Sequence, residues 1–195
     1  MEWAVDFIPS VEKDEVKLIR DTLEAKLKAE AGQYGEAARI LWELLVQLRH
    51  NKNRRWECLT MVHMGKVYRA LRWSIALSLF EDALELAESL DFSEAKLMAL
   101  TELGEMKCHW GQFEDSLELF DKAFELLEDS DLKNRRILLL NKVIAYEGLD
   151  EIDRCQELLE EVLEIDRTIG CEDMEEDLAH YRRLTNGNST QPGSG

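Results

Sequence analysis

One phrase, written four times, constrains this chain more than any other feature. "GQYGEAARILWELL" at 32–45 returns as "LRWSIALSLFEDAL" at 71–84, "GQFEDSLELFDKAF" at 111–124 and "DEIDRCQELLEEVL" at 150–163. Aligned, Tyr34, Trp73, Phe113 and Ile152 share a column that recurs every 39 or 40 residues. Three residues on stand the small side chains Ala37, Ala76, Ser116 and Cys155. Four further come Leu41, Phe80, Phe120 and Leu159, then after three Leu44, Ala83, Ala123 and Val162. This spacing is one stripe of an α-helix. A small residue between large ones lets a neighbouring helix approach closely.

Each copy follows another helical pattern, "WECLTMVHMGKVYRAL" before the second and "AKLMALTELGEMKCHW" before the third. Gly65 and Gly104 share a column there, with Ala25 and Val143 in the matching places. A glycine inside a helix costs about 1 kcal/mol relative to alanine, so close packing against the partner helix is the expected compensation. Such helix pairs cannot bury their faces alone, and stacking in series solves that. Only 2 prolines and 10 glycines interrupt the chain, and apolar–polar alternation is missing, so strands are not expected. The periodicity predicts helices at about 11–31, 35–50, 54–70, 73–90, 93–110, 113–128, 132–147 and 151–168. A ninth at about 172–184, with Leu178, Tyr181 and Leu184 on one side, suits a terminal cap.

At these residues the chain resembles the tetratricopeptide repeat family. The match consists of a small residue and an aromatic in the first helix (Gly65 with Tyr68, Val143 with Tyr146), a glycine two residues before an aromatic at the turn, and the small and large pair of the second helix. It spans roughly residues 17–168, and the third copy fits best, with Leu103, Gly104, Gly111, Phe113, Phe120 and Ala123. The period exceeds the family's usual 34 residues or so, which implies helices with an extra turn. The resemblance implies an all-α, right-handed superhelical solenoid of antiparallel helix pairs with a C-terminal capping helix. One domain of about four pairs is expected over 11–185, between an N-terminal arm at 1–10 and a disordered tail at 186–195. Trp3 and Phe7, spaced i, i+4 in the arm, either close the first repeat or form a docking arm.

Charge narrows the choice of partner. A net charge of −17 repels phosphate and so disfavours nucleic acid and anionic membranes. The charge is banded, however: residues 51–75 carry 6 bases and 1 acid, whereas 76–132 carry 16 acids and 3 bases. "NRR" at 53–55 and again at 134–136 leaves one nucleic-acid reading open, through Arg54, Arg55, Arg135 and Arg136. The longest aliphatic run, "ILLL" at 137–140, is far short of the roughly 20 residues of a membrane span. Cys58, Cys108, Cys155 and Cys171 lack CxxC spacing and read as reduced thiols of a cytoplasmic protein. No phosphate-binding glycine loop, GxSxG elbow or HxxxH pair occurs. No cofactor, metal or enzymatic role is expected.

In the resembling family the first helices of successive pairs line the concave side. Mapped residue by residue, that implies Thr22, Lys26 and Glu30, then Leu59, Val62, Lys66 and Arg69. It continues with Met98, Thr101, Glu105 and His109, and ends with Ile137, Leu140, Ile144 and Glu147. The second pair's share is basic and the fourth pair's is apolar. Ile137, Leu140 and Ile144 add a stripe beyond what Leu139, Val143 and Tyr146 need for packing, and it is either an exposed patch or core. Some family members clamp the terminal carboxylate of chaperone-derived peptides between cationic residues. The matching places here hold Thr22, Lys26, His63, Met98 and Glu102, and the last two remove or reverse the needed charge. The implied function is a non-enzymatic adaptor for a peptide or helix of another protein, apolar with an acidic flank. A regulatory module that responds to a peptide or small ligand and acts through a separate output protein is the alternative.

Overall fold

The computed structural model describes residues 10–188. Among them lie nine α-helices and no strand: α1 (Ser10–Glu30), α2 (Tyr34–His50), α3 (Arg54–Arg69), α4 (Trp73–Ser89), α5 (Ser93–His109), α6 (Phe113–Phe124), α7 (Leu132–Gly148), α8 (Ile152–Ile169) and α9 (Met174–Asn188). They form two compact units that divide within α5, one ending at Ala99 and the other beginning at Leu100. The expected arm with Trp3 and Phe7, and residues 189–195 of the expected tail, lie outside the described residues. The tail was expected from 186, but α9 continues through Asn188.

The connections explain the period. In five of them the helix ends by the same device: one residue turns left-handed, its N–H bonds back three residues and the next N–H bonds back five. After α1, Gly32 N–H reaches Ala29 O at 2.9 Å and Gln33 N–H reaches Lys28 O at 2.8 Å. Gly111 plays the same part after α5, and Lys52, Asp91 and Asp150 do so after α2, α4 and α7. Each turn takes three residues, so every stripe restarts in the same register.

The aligned columns are the core. Ala37, Ala76, Ser116 and Cys155 are fully buried, and so are Leu41, Phe80, Phe120 and Leu159. The glycines of the first helices answer the rings of the second: a methyl group at Gly65 would overlap Phe80, and one at Gly104 would overlap Phe120. Where the second helix carries leucine instead, at Leu41 and Leu159, the first affords Ala25 and Val143. The first helix is thus smallest where the second carries a ring and larger where it carries leucine.

α6 stops at Phe124, short of the expected 128. Leu126 and Leu127 bond back only three residues, to Ala123 and Phe124, which tightens the last turn. Asp131 then caps α7, its side chain accepting from Asn134 N–H at 3.2 Å. At the end of its unit α9 packs as a cap, with Tyr181 and Leu184 against Val143, Cys155 and Leu159. Polar contacts orient it. Arg136 of α7 donates to Asp166 of α8 and to Asp177 of α9, each at 2.5 Å. His180 lies 2.7 Å from Glu147, and the Tyr181 hydroxyl donates to Glu160 at 2.7 Å.

Candidate functional site

In the first unit, α1 and α3 flank a cleft of about 350 Å³. α1 lines it with Thr22, Ala25, Lys26 and Ala29, α3 with His63, Lys66 and Val67, α2 with Leu41 and α5 with Met98. Four of the expected residues, Thr22, Lys26, Lys66 and Met98, therefore meet in one place. His63, which the sequence names only as the occupant of a place matching a clamp, sits with them. Burial, reinforced by Lys66 and then Lys26, pulls its imidazole down to about 4, so it is neutral at pH 7.

Val62 needs correction as a ligand-facing residue. It is fully buried, and the row that reaches the cleft is His63–Lys66–Val67, one position round the helix. The i, i+4, i+7 spacing identifies a row but leaves its rotation open by about 100° per residue. Arg69 is half-buried and does not line the cleft.

In the second unit the apolar stripe of α7 divides. Ile137 and Ile144 are 46% and 52% exposed. Leu140 is half-buried and packs on both clusters that join α7 to α8, around Val162 and around Leu159. Thr101 and Glu105 are half-buried and His109 is exposed. Glu105 accepts from Asn141 Nδ2 at 3.2 Å, which ties α5 to α7 on this side. A further apolar row went unnoticed in the sequence: Val16, Ile19, Leu23 and Leu27 are exposed along α1. Their i, i+3, i+7, i+11 spacing was the available signal.

The four arginines of the repeated tripeptide each have contacts within the chain. Arg54 reaches Glu57 at 2.6 Å and Arg55 covers the Phe92 ring. Arg135 reaches Glu161 at 2.8 Å and also covers Phe124, while Arg136 lies between Asp166 and Asp177. The thiols of Cys58 and Cys155 are pushed up to about 11, chiefly by burial, and donate to Ala83 O and Val143 O. Neither is a nucleophile at neutral pH. Among the described residues no three His, Cys, Asp or Glu side chains are grouped to hold a metal, and no helix is long and apolar enough to cross a membrane.

No family model matches the chain, and no curated protein does. Solved structures do. A protein of nearly identical TPR-like repeats from Podosopora anserina is similar with a TM-score of 0.61 and 17% identity, over 90% of this chain and 98% of that one. BtubC from P. vanneervenii gives 0.68 and 14%, over 94% and 87%. MamA from Desulfovibrio magneticus RS-1 gives 0.53 and 18%, over 91% and 98%. At such identities the likeness speaks for the fold. With stacked helix pairs, glycine-to-ring packing and a capping helix already in view, this chain has the tetratricopeptide-like repeat fold.

Proposed function

We propose that the chain is a non-enzymatic scaffold that binds a peptide or helix of another protein through the exposed faces of its first helices. One observation carries this: Lys26, Lys66 and Met98, from three first helices, meet around a single cleft with an apolar floor. Ile137 and Ile144 add apolar surface on a fourth first helix. Apolar residues with an acidic flank in the partner complement both. Arg136 is held between Asp166 and Asp177, which removes one of the four cations that a nucleic-acid reading would use.

The test is capture of the partner from native extract, followed by a binding series on the purified pair. Lys26→Glu with Lys66→Glu slows association, and added salt narrows the difference from wild type. Ile144→Asp weakens binding with little salt dependence, because it removes apolar contact. Ile144 serves here in place of Leu140, whose replacement by a charge damages the core. Binding unchanged in both variants would overturn the proposal.

A further inference from the structure

α1 carries apolar side chains on two opposite sides. One side packs within the first unit, with Ala25 buried and Leu18 half-buried. The other presents Val16, Ile19, Leu23 and Leu27, which are 65%, 45%, 54% and 66% exposed. Leu23 and Leu27, each two residues from Ala25, point about 160° away from it, so this row lies apart from the cleft of Lys26 and Lys66. In the repeat register Ala25 shares its column with Gly65, and the matching row of α3 is Trp56, Leu59, His63 and Val67. None of those four is exposed, and α1 lies against three of them. Lys26 and Ala29 share one cleft with His63 and Val67, and Glu15 and Leu18 share another with Trp56. The outer row of α1 is thus a stacking face, shaped like the one that α3 turns to a preceding helix. Among the described residues nothing covers it. α9 offers it no apolar counterpart, because its outer side exposes Glu175, Glu176, Arg182 and Arg183. Another α1 does offer one.

We propose that a second copy of the chain covers this face, α1 against α1, antiparallel about a two-fold axis between Ile19 and Leu23. Val16 then meets Leu27 of the second copy, and Ile19 meets its Leu23. Like flanks face each other in such a pair, so Arg20 stands beside Glu24 of the second copy, twice over by symmetry. Arg20 gives Nε and Nη2 to Asp21, and its fork holds further donors. The charge pairs therefore set the register, while the apolar row supplies the affinity. The row leaves roughly 400 Å² of apolar surface open, as much as the largest patch of a typical monomer. An interface is about 60% apolar, so the row is the apolar share of about 650 Å² per copy, somewhat below the roughly 800 Å² of standard size. Dissociation at about 10 μM suits such an area. The pairing does not depend on the scaffold function, since it leaves the cleft between α1 and α3 open.

Sedimentation velocity of the full chain is the test. From about 1 to about 200 μM the mass rises from the 22.6 kDa of one chain to twice that. Leu23→Glu sets a charge at the axis and keeps the chain monomeric throughout, with circular dichroism checking that it folds. Val46→Glu, the same kind of change on the exposed side of α2, leaves the dimer intact. Arg20→Glu and Glu24→Arg each weaken association at least about tenfold. Mixed in equal amounts they pair as tightly as wild type, because unlike copies restore both charge contacts. That mixture stands as the test if Leu23→Glu does not fold. A mixture no tighter than either variant alone overturns the antiparallel pairing. A wild-type chain still monomeric at the highest concentration overturns the proposal, as does a dimer that ignores Leu23→Glu or is lost through Val46→Glu. If removal of residues 1–9 turns a monomer into a dimer, the face belongs to that segment and the second copy is likewise overturned as its occupant.

Discussion

The tripeptide Asn-Arg-Arg occurs at 53–55 and at 134–136, and its two copies have different fates. In α3, Asn53 is the N-cap, accepting from Trp56 N–H at 3.4 Å, so the arginines occupy the first two helical positions. Arg54 stays 55% exposed, paired with Glu57. In α7 the cap is Asp131, and Asn134 bonds back to it at 2.7 Å. The arginines thus fall three positions deeper, nearly one turn along the helix. There Arg136 faces α8 and α9 and is only 13% exposed. Distance from the cap, more than the local sequence, decides whether a guanidinium decorates a surface or fastens three helices together.

The largest expected effect lies at the buried copy. Arg136→Ala leaves the buried carboxylate of Asp166 and that of Asp177 facing each other without this cation. Removing one partner from such a cluster costs about 3–5 kcal/mol, measurable by urea unfolding. If Arg54→Ala proves as costly, the contrast between the copies is broken.

Acid sharpens the contrast between the two units. His63 has its folded value near 4, below the 6.5 of a free imidazole. Between these, the unfolded chain takes up a proton that the native state refuses, so the first unit loses stability as pH falls, by up to about 3 kcal/mol. Asp177 behaves in the opposite sense. Burial raises it, Arg136 opposing and Asp166 adding, so the native state takes up the proton first. Above the ordinary aspartate range, stability in α7–α9 therefore declines as pH rises toward that raised value. Hydrogen exchange referenced to intrinsic rates should show α3 and α9 moving in opposite directions. His63→Gln flattens the first response and Asp177→Asn the second. Parallel responses would remove the distinction.

The smallest effects belong to the exposed copy. Arg54→Ala leaves Glu57 with Arg49 at 2.9 Å, and Arg55→Ala gives up a contact over Phe92. Each costs less than about 1 kcal/mol, a shift at the edge of what thermal unfolding resolves.

The sequence by itself determined the helices, their register and the packing columns, because a 3.6-residue period and the left-handed turns are local properties. Tyr34, Trp73, Phe113 and Ile152 begin their helices at the positions that the alignment implies. Local properties also left things open. Val62 and His63 are neighbours on one helix, and only tertiary packing buries the first and places the second in a cleft lined also by α1, α2 and α5. Ile137, Leu138 and Leu140 are equally apolar in the sequence, yet they end exposed, buried and half-buried. A period reports which residues share a face. Which face is covered depends on helices far along the chain, whose arrival no local pattern encodes. The tertiary structure decided that, and with it the candidate site.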